Sequence, residues 1–255
     1  MEINGIDVSK WQGDIDWKLV SSSGVRFAMI RLAHGTDMDT RFSKNVKGAV
    51  KNGIKAGAYV FSLAGNTDEA RAEALNAVKA CEGLAISFPV AMDVENAHFE
   101  KLGKAERGKL IEAFCETVKA SGMTPMIYSN RDWFTRLIPR SVMKKYPVWL
   151  AQWRQDKPST DFEYAMWQYG KGHVNGIDGD VDLDICFKDF STVCSSPIVF
   201  DLTVPRKRGE AFLDMQTALN AAGYTDDSGK PLAADGVWGK RSRQAFVKML
   251  ENNKA

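Results

Sequence analysis

At 255 residues, 44% hydrophobic and 26% charged, the chain has the composition of a folded protein with a substantial core, not that of a disordered segment. Its 34 Lys and Arg against 32 Asp and Glu leave a net charge of +2, so no nucleic-acid partner is expected. No apolar stretch is long enough to insert into a membrane, and the opening MEINGIDVSK lacks the basic and apolar regions of a signal peptide.

In chain order, eight short apolar runs predict strands over residues 4–9, 26–33, 55–63, 88–95, 124–130, 146–153, 164–170 and 181–187. Segments of helical period separate the early ones. Phe42, Val46, Ala49 and Val50 share one face, as do Ala70, Ala74, Ala77, Val78 and Cys81, and then Leu110, Ile111, Phe114 and Val118. Gly53, Gly83 and Gly122 follow these helices where C-cap residues belong. Alternating strand and helix predicts an α/β fold with a parallel sheet, and eight runs predict a closed, TIM-like β/α barrel. Residues 154–163 and 171–180 are too short for long helices, so the late strands are expected to lack them.

The domain expected over residues 1–194 ends where the period is lost. SSPIVFDLTVPRKRGE, with two prolines and a basic run, reads as a linker over 195–208. Residues 209–255 read as a small α-helical domain. Its first helix places Leu213, Gln216, Leu219 and Ala222 on one face, and a turn-rich stretch separates it from a second helix in KRSRQAFVKMLENN. Cys81, Cys115, Cys186 and Cys194 have no CxxC spacing, and His34, His98 and His173 are not near them in sequence. Inert, mostly buried thiols are expected, with no metal and no cofactor.

The chemistry lies in carboxylates set within apolar strands, where a charge is costly. Strand side chains alternate faces, so Ala91, Asp93 and Glu95 oppose Val90, Met92 and Val94. Asp7 likewise opposes Ile6 and Val8, and Asp180, Asp182 and Asp184 oppose Val181 and Leu183. Three strand ends then aim carboxylates at one mouth, at the end where such barrels carry their active sites. Crowding and burial raise the pKa of one carboxyl while a neighbour stays ionised, a division that glycoside hydrolysis needs. Trp149, Trp153, Tyr164, Trp167 and Tyr169, with Tyr59 and Tyr128, offer faces for sugar rings, Trp149 being assigned to the core. Gln152 and Gln168 offer polar partners. DGDVDLD invites a calcium reading, but its sixth position is Leu183 where an EF-hand loop needs glycine.

Seven segments in order, GIDVSKWQGDIDW (5–17), GAYVFS (57–62), FPVAMDVE (88–95), PMIYSN (125–130), VWLAQW (148–153), MWQYG (166–170) and GDVDLD (179–184), resemble the glycoside hydrolase family 25 lysozymes, the Chalaropsis-type muramidases. The resemblance covers roughly residues 3–190 and implies a modified β/α barrel that cleaves the β-1,4 bond after N-acetylmuramic acid. The implied partner is bacterial peptidoglycan. It also implies that Glu95 is the catalytic acid, that Asp93 and Asp182 are charged stabilisers, and that Asp7 holds the group by hydrogen bonds. Trp11, Arg31, Tyr59, Tyr128, Trp153, Gln168 and Tyr169 are taken as substrate-binding. The chain has Val60 where the family often has His, and His34 in RLAHGT where it often has Glu, so subsites near the mouth are expected to differ.

MQTALNAAGY and DGVWGKRSRQAF resemble a peptidoglycan-binding module, with Ser242 near the usual Thr. Together the halves imply a phage endolysin that waits in the host cytoplasm for release by a holin. An exported autolysin, a hydrolase of another N-acetyl sugar polymer such as chitin, and a sugar-binding barrel without catalysis remain alternatives.

Overall fold

The computed structural model describes residues 2–154, 156–190, 207–208 and 210–252, and the chain divides into units 1–197 and 198–255. In the first unit the elements run β1 (Ile3–Val8), α1 (Trp17–Ser22), β2 (Phe27–His34), β3 (Asp37–Met38), α2 (Phe42–Lys51), β4 (Lys55–Phe61), α3 (Thr67–Cys81) and β5 (Ile86–Asp93). They continue through α4 (Lys104–Ala120), β6 (Pro125–Asn130), α5 (Arg131–Arg136), α6 (Arg140–Lys145), β7 (Val148–Ala151), β8 (Met166–His173) and β9 (Asp180–Cys186). All eight expected strands form. The two-residue β3 extends β2 antiparallel, and the other strands close into a ring, with β1 between β2 and β9.

Uniformly parallel pairing, which the strand–helix alternation predicted, holds from β1 to β8 but not for β9, which runs antiparallel to both β8 and β1. Connection length explains the reversal. Residues 174–179 alone join β8 to β9, a hairpin length, whereas a parallel crossover takes about a dozen residues or more. The chain between β7 and β8 carries no helix among its described residues, as expected, and two six-residue helices, α5 and α6, cover the β6–β7 crossover.

The helices form where apolar spacing and caps agree. In α2 the buried face is Phe42, Asn45, Val46 and Ala49, and in α4 it includes Leu110, Ile111, Phe114, Cys115 and Val118. Asn66 caps α3 by accepting from the backbone N–H groups of Asp68 and Glu69. Gly53, Gly83 and Gly122 have φ of 77°, 71° and 80°, the left-handed conformation expected after a helix. Cys81, Cys115 and Cys186 are buried free thiols, and Cys194 lies outside the described residues. Among the described residues no helix is long and apolar enough to cross a membrane.

Two apolar cores result from strand alternation. Ile6, Val8, Val90, Met92, Val94 and Val181 face outward onto the helices. Phe27, Met29, Phe88, Met126, Trp149, Met166 and Phe190 fill the interior. At the floor, where the parallel strands begin, Phe27 stacks on Phe88 at 4.9 Å and Phe190 meets Phe88 edge-on at 5.8 Å. Gly5 faces this floor because a Cβ there would stand 2.3 Å from the Phe27 ring. Each buried phenyl contributes roughly 1.5–3 kcal/mol.

The second unit contains β10 (Lys207–Arg208), α7 (Glu210–Ala221), β11 (Val237–Trp238) and α8 (Lys240–Asn252). Residues 207–208, expected to end the linker, instead pair antiparallel with 237–238; 195–206 lie outside the described residues. Leu219, Leu232 and Ala245 form a small core. Of the expected helix face, Gln216 and Leu219 are buried, while Leu213 and Ala222 are exposed. Gln216 replaces apolar packing with hydrogen bonds. Its Nε2 donates to Asp235, to the Val237 carbonyl and to Ser242, and its Oε1 accepts from the backbone of Asp235 and Gly236. The Trp238 side chain lies outside the described residues.

Candidate active site

Alternation turns Asp7, Asp93, Gln168 and Asp182 into the barrel above the apolar interior. Asp7 ends β1 beside Asp182 in the β1–β9 ladder, and Asp93 ends β5 beside Tyr128 and Phe61. The antiparallel course of β9 puts Asp182 here, since its beginning, not its end, lies at the mouth. Asp184, two residues on, lies deeper, across from Gly5 and Gln168. Asp180, expected to face the mouth, is exposed at the rim opposite His173.

The polar contacts form a connected set. Gln168 is buried; its Nε2 donates to Asp7 Oδ2 at 2.8 Å, and its Oε1 accepts from Tyr128 Oη and Trp153 Nε1, both at 3.1 Å. Trp149 Nε1 donates to Asp184 Oδ1 at 2.8 Å. Lys171 Nζ lies 3.6 Å from Asp182 Oδ1 and 5.3 Å from the centre of the Trp153 ring. Trp153 is 57% exposed and Trp11, just past β1, is 75% exposed, so both offer aromatic surface to a ligand. Tyr59 and Tyr128 sit lower, edge-on to Trp149 at 6.0 and 4.6 Å.

Arg31, from β2, donates through Nε and Nη2 to the buried Asp39 at 3.0 Å, and its charge acts on Asp93. Asp39 also accepts from the Lys10 backbone N–H at 3.0 Å, tying the loop that carries Trp11 to Arg31. In the segment after Glu95, Arg107 donates to the carbonyls of Phe99, Leu102 and Leu137. His98 spans Asn96 Oδ1 and the Ala64 carbonyl. These contacts fix the loop on which the exposed Glu95 stands.

Burial is the first cause of every carboxylate shift at the mouth. It pushes Asp93 and Asp184 well above the usual carboxylate range, helped by Glu95 and Asp7 at Asp93 and by Asp7 at Asp184. Burial and the charge of Asp182 raise Asp7 to about 7. Glu95 is raised by partial desolvation and by Asp182; Asp182 is raised by burial, against the pull of Lys171. Desolvation thus acts harder on Asp93 than on Glu95, the reverse of the division expected from sequence, in which Asp93 kept its charge.

Several expected aromatics lie elsewhere. Trp167 faces out of the barrel, nearly buried, with its Nε1 on the Gln152 carbonyl. Tyr169 sits at the irregularity of the β8–β9 ladder, half-buried, its ring 5.5 Å from Trp167, and makes no hydrogen bond to the carboxylate set. Tyr164 precedes β8 at the opposite end of the barrel and donates to the Pro158 carbonyl. Asp39 and the depth of Asp184 escaped the sequence reading. Asp39 lies in a turn without period, while Asp184 carried the right alternation but no sign of its depth. Among the described residues no group of three or more His, Cys, Asp or Glu side chains is arranged to hold a metal ion.

A barrel with a carboxylate-lined mouth and exposed aromatics defines a glycosidase-like site. The family model "Glycosyl hydrolases family 25" matches residues 6–177, and the chain belongs to that family. It is 33% identical over 193 residues to YegX, an uncharacterized protein of Escherichia coli K12, covering 72% of this chain and 69% of that one. It is 32% identical over 195 residues to Lysozyme M1 of Streptomyces globisporus, covering 71% and 66%. Among solved structures, the catalytic domain of endolysin ply40 from bacteriophage P40 of Listeria monocytogenes superposes with a TM-score of 0.63 at 26% identity, covering 77% of this chain and 98% of that one. The activity class is accordingly that of a lysozyme-type glycosidase.

Proposed function

We propose that the protein cleaves the β-1,4 bond after N-acetylmuramic acid in bacterial peptidoglycan, with Glu95 as the acid. The observation that carries this reading is the convergence of Asp7, Asp93 and Glu95, and Asp182 from three strands on one end of the barrel. Glu95 is exposed and free of hydrogen bonds from the described residues, so its carboxyl is available to a ligand. A bound sugar excludes more water and raises its proton affinity further. Glu95 gives its proton to the glycosidic oxygen as the bond to C1 breaks, and the charge of Asp182 stabilises the oxocarbenium-like centre. A water oxygen then bonds to C1, and its proton returns to the Glu95 carboxylate. Asp7 anchors Gln168, which holds Trp153 and Tyr128.

Digestion of purified walls followed by mass analysis of the new reducing ends tests the reading. Muramic acid derivatives are expected there. N-acetylglucosamine at those ends would identify a different bond, and no release at all would favour a sugar-binding barrel.

The second unit, on this reading, holds the enzyme on the insoluble wall and raises the local concentration of the active site. A chain ending at Pro197 should cleave soluble muropeptide oligomers at the full-length rate and intact walls more slowly. Loss of soluble cleavage by a folded truncated chain would place the second unit in the site. The biological role proposed is that of a phage endolysin, held in the host cytoplasm until release. Likeness to an endolysin catalytic domain supports it. Expression inside a bacterium should lyse the culture only when the inner membrane is permeabilised; lysis without that step would favour an exported autolysin.

A further inference from the structure

Asp184 is 1% exposed, two residues below Asp182, and no established role of the site accounts for it. Its hydrogen bonds can be assigned by elimination. An indole N–H can only donate, so Trp149 Nε1 obliges Asp184 Oδ1 to accept, and Trp153 Nε1 obliges the oxygen of Gln168 to face it. The Gln168 amide nitrogen therefore points at Asp7, and Asp7 Oδ2 must accept. Asp184 Oδ2 is buried and no donor reaches it, and of the neighbouring carboxylates Asp7 acts on it first. A buried carboxyl oxygen that no donor reaches is satisfied when it carries a proton itself and gives it to a neighbouring acceptor. The deeper of the two, without an amide donor, is the one to carry it. The groups acting on this proton are Asp7 on β1, Asp182 on β9 and Trp149 on β7, and both carboxylates favour its retention.

We propose that Asp184 is a positioning residue whose neutral carboxylic acid donates its proton to Asp7, and that this proton sets the sense of the Gln168 amide and so the orientation of the Trp153 and Tyr128 side chains at the sugar-facing mouth. Donation from Asp184 keeps Asp7 an acceptor, the accepting Asp7 turns the amide nitrogen of Gln168 inward, and the amide oxygen then receives the Trp153 and Tyr128 donors. The last link rests on the sugar-binding reading of the mouth; the earlier links do not.

Two substitutions separate a proton from a charge. Asp184→Asn keeps both functions, since its amide oxygen accepts from Trp149 and its nitrogen donates to Asp7. Asp184→Leu keeps the volume and removes the donor. Asp184→Asn should retain kcat/KM within about threefold, while Asp184→Leu should lose about tenfold or more, mainly through KM, the size of one lost hydrogen bond to a charged group. Infrared difference spectra at pH 7 provide the readout independent of activity. Wild type minus Asp184→Asn should show the carbonyl stretch of a protonated carboxyl, and this band should persist in Glu95→Gln. Absence of that band, or an Asp184→Asn protein that is folded yet as impaired as Asp184→Leu, would overturn the proposal. If Asp184→Leu does not fold, the spectra of wild type and Asp184→Asn decide. If neither protein cleaves peptidoglycan yet the band is present, the proton assignment stands and the substrate reading falls.

Discussion

At the floor of the barrel Phe27, Phe88 and Phe190 meet ring to ring, whereas at the mouth strands β1, β5 and β9 present Asp7, Asp93, Asp182 and Asp184 to one another. Strand β5 carries both Phe88 and Asp93, and the register shift in its pairing with β4 lets both face inward although they are five residues apart. The floor gains by excluding water; the mouth is destabilised by the same exclusion, because its carboxyls lose solvation and repel. Stability and chemistry are therefore separated along the barrel axis, and perturbing the two ends should give opposite outcomes.

The sharpest break should come at the mouth. Glu95→Gln removes the proton donor and should lower hydrolysis by roughly 10²–10⁴-fold, the worth of general acid catalysis. Its melting temperature should not fall, since the wild-type side chain is exposed. Residual activity within a few-fold of wild type would remove Glu95 from its role. At the floor the reverse is expected. Phe88→Ala should cost about 3–5 kcal/mol in denaturant unfolding while leaving kcat of the folded fraction near wild type. A large fall in kcat with intact stability would show that the two ends are not separable.

A finer test lies within the mouth. Asp182 acts on Glu95, whereas burial raises the pKa of Asp93 well above the usual carboxylate range. Asp182→Asn should therefore lower the pKa of Glu95 and move the alkaline limb of the pH–rate profile to lower pH. Asp93→Asn should leave that limb where it is, although it lowers the rate. A shift produced by Asp93→Asn alone would mean that Asp93 is charged in the working enzyme.

The smallest effect is on stability. Asp7 has an ordinary pKa of 3.8 and a folded one of about 7, so the stability it contributes is full below 3.8 and is lost as pH rises through about 7. Asp93 and Asp184 act in the same direction. Surface carboxylates paired with Arg or Lys have the opposite sign, but solvent screens them. The melting temperature should be higher at pH 5 than at pH 8, and Asp184→Asn should narrow the gap. An equal or higher melting temperature at pH 8 would show that the mouth is better solvated than its burial implies.

Period and alternation made much of this legible in advance. Two-residue alternation identified which side chains of AMDVE and GIDVS face inward, because one face of each strand had to meet helices. Alternation does not encode direction, however, and the reversal of β9 was visible only in the shortness of residues 174–179. Depth was equally hidden: Asp182 and Asp184 have the same pattern, but only the second lies beneath Asp7. Tyr164 and Trp167 looked like ligand-facing aromatics because composition does not distinguish the two ends of a strand or its two faces. Asp39 sits in a turn, where no periodicity points to a partner such as Arg31.

Strand β9 closes the ring by pairing with β1, the first strand made. Until residue 186 has left the ribosome, β1 and β8 are open edges, and Asp7 has neither Asp182 nor Asp184 beside it. The entropy of joining such distant segments is met only at the end of synthesis, so closure is a late, cooperative event. Nascent chains shorter than this would expose unpaired strands, which favours aggregation over activity. The hydrolase is thus inactive on the ribosome, its last catalytic wall arriving only when the barrel is nearly complete.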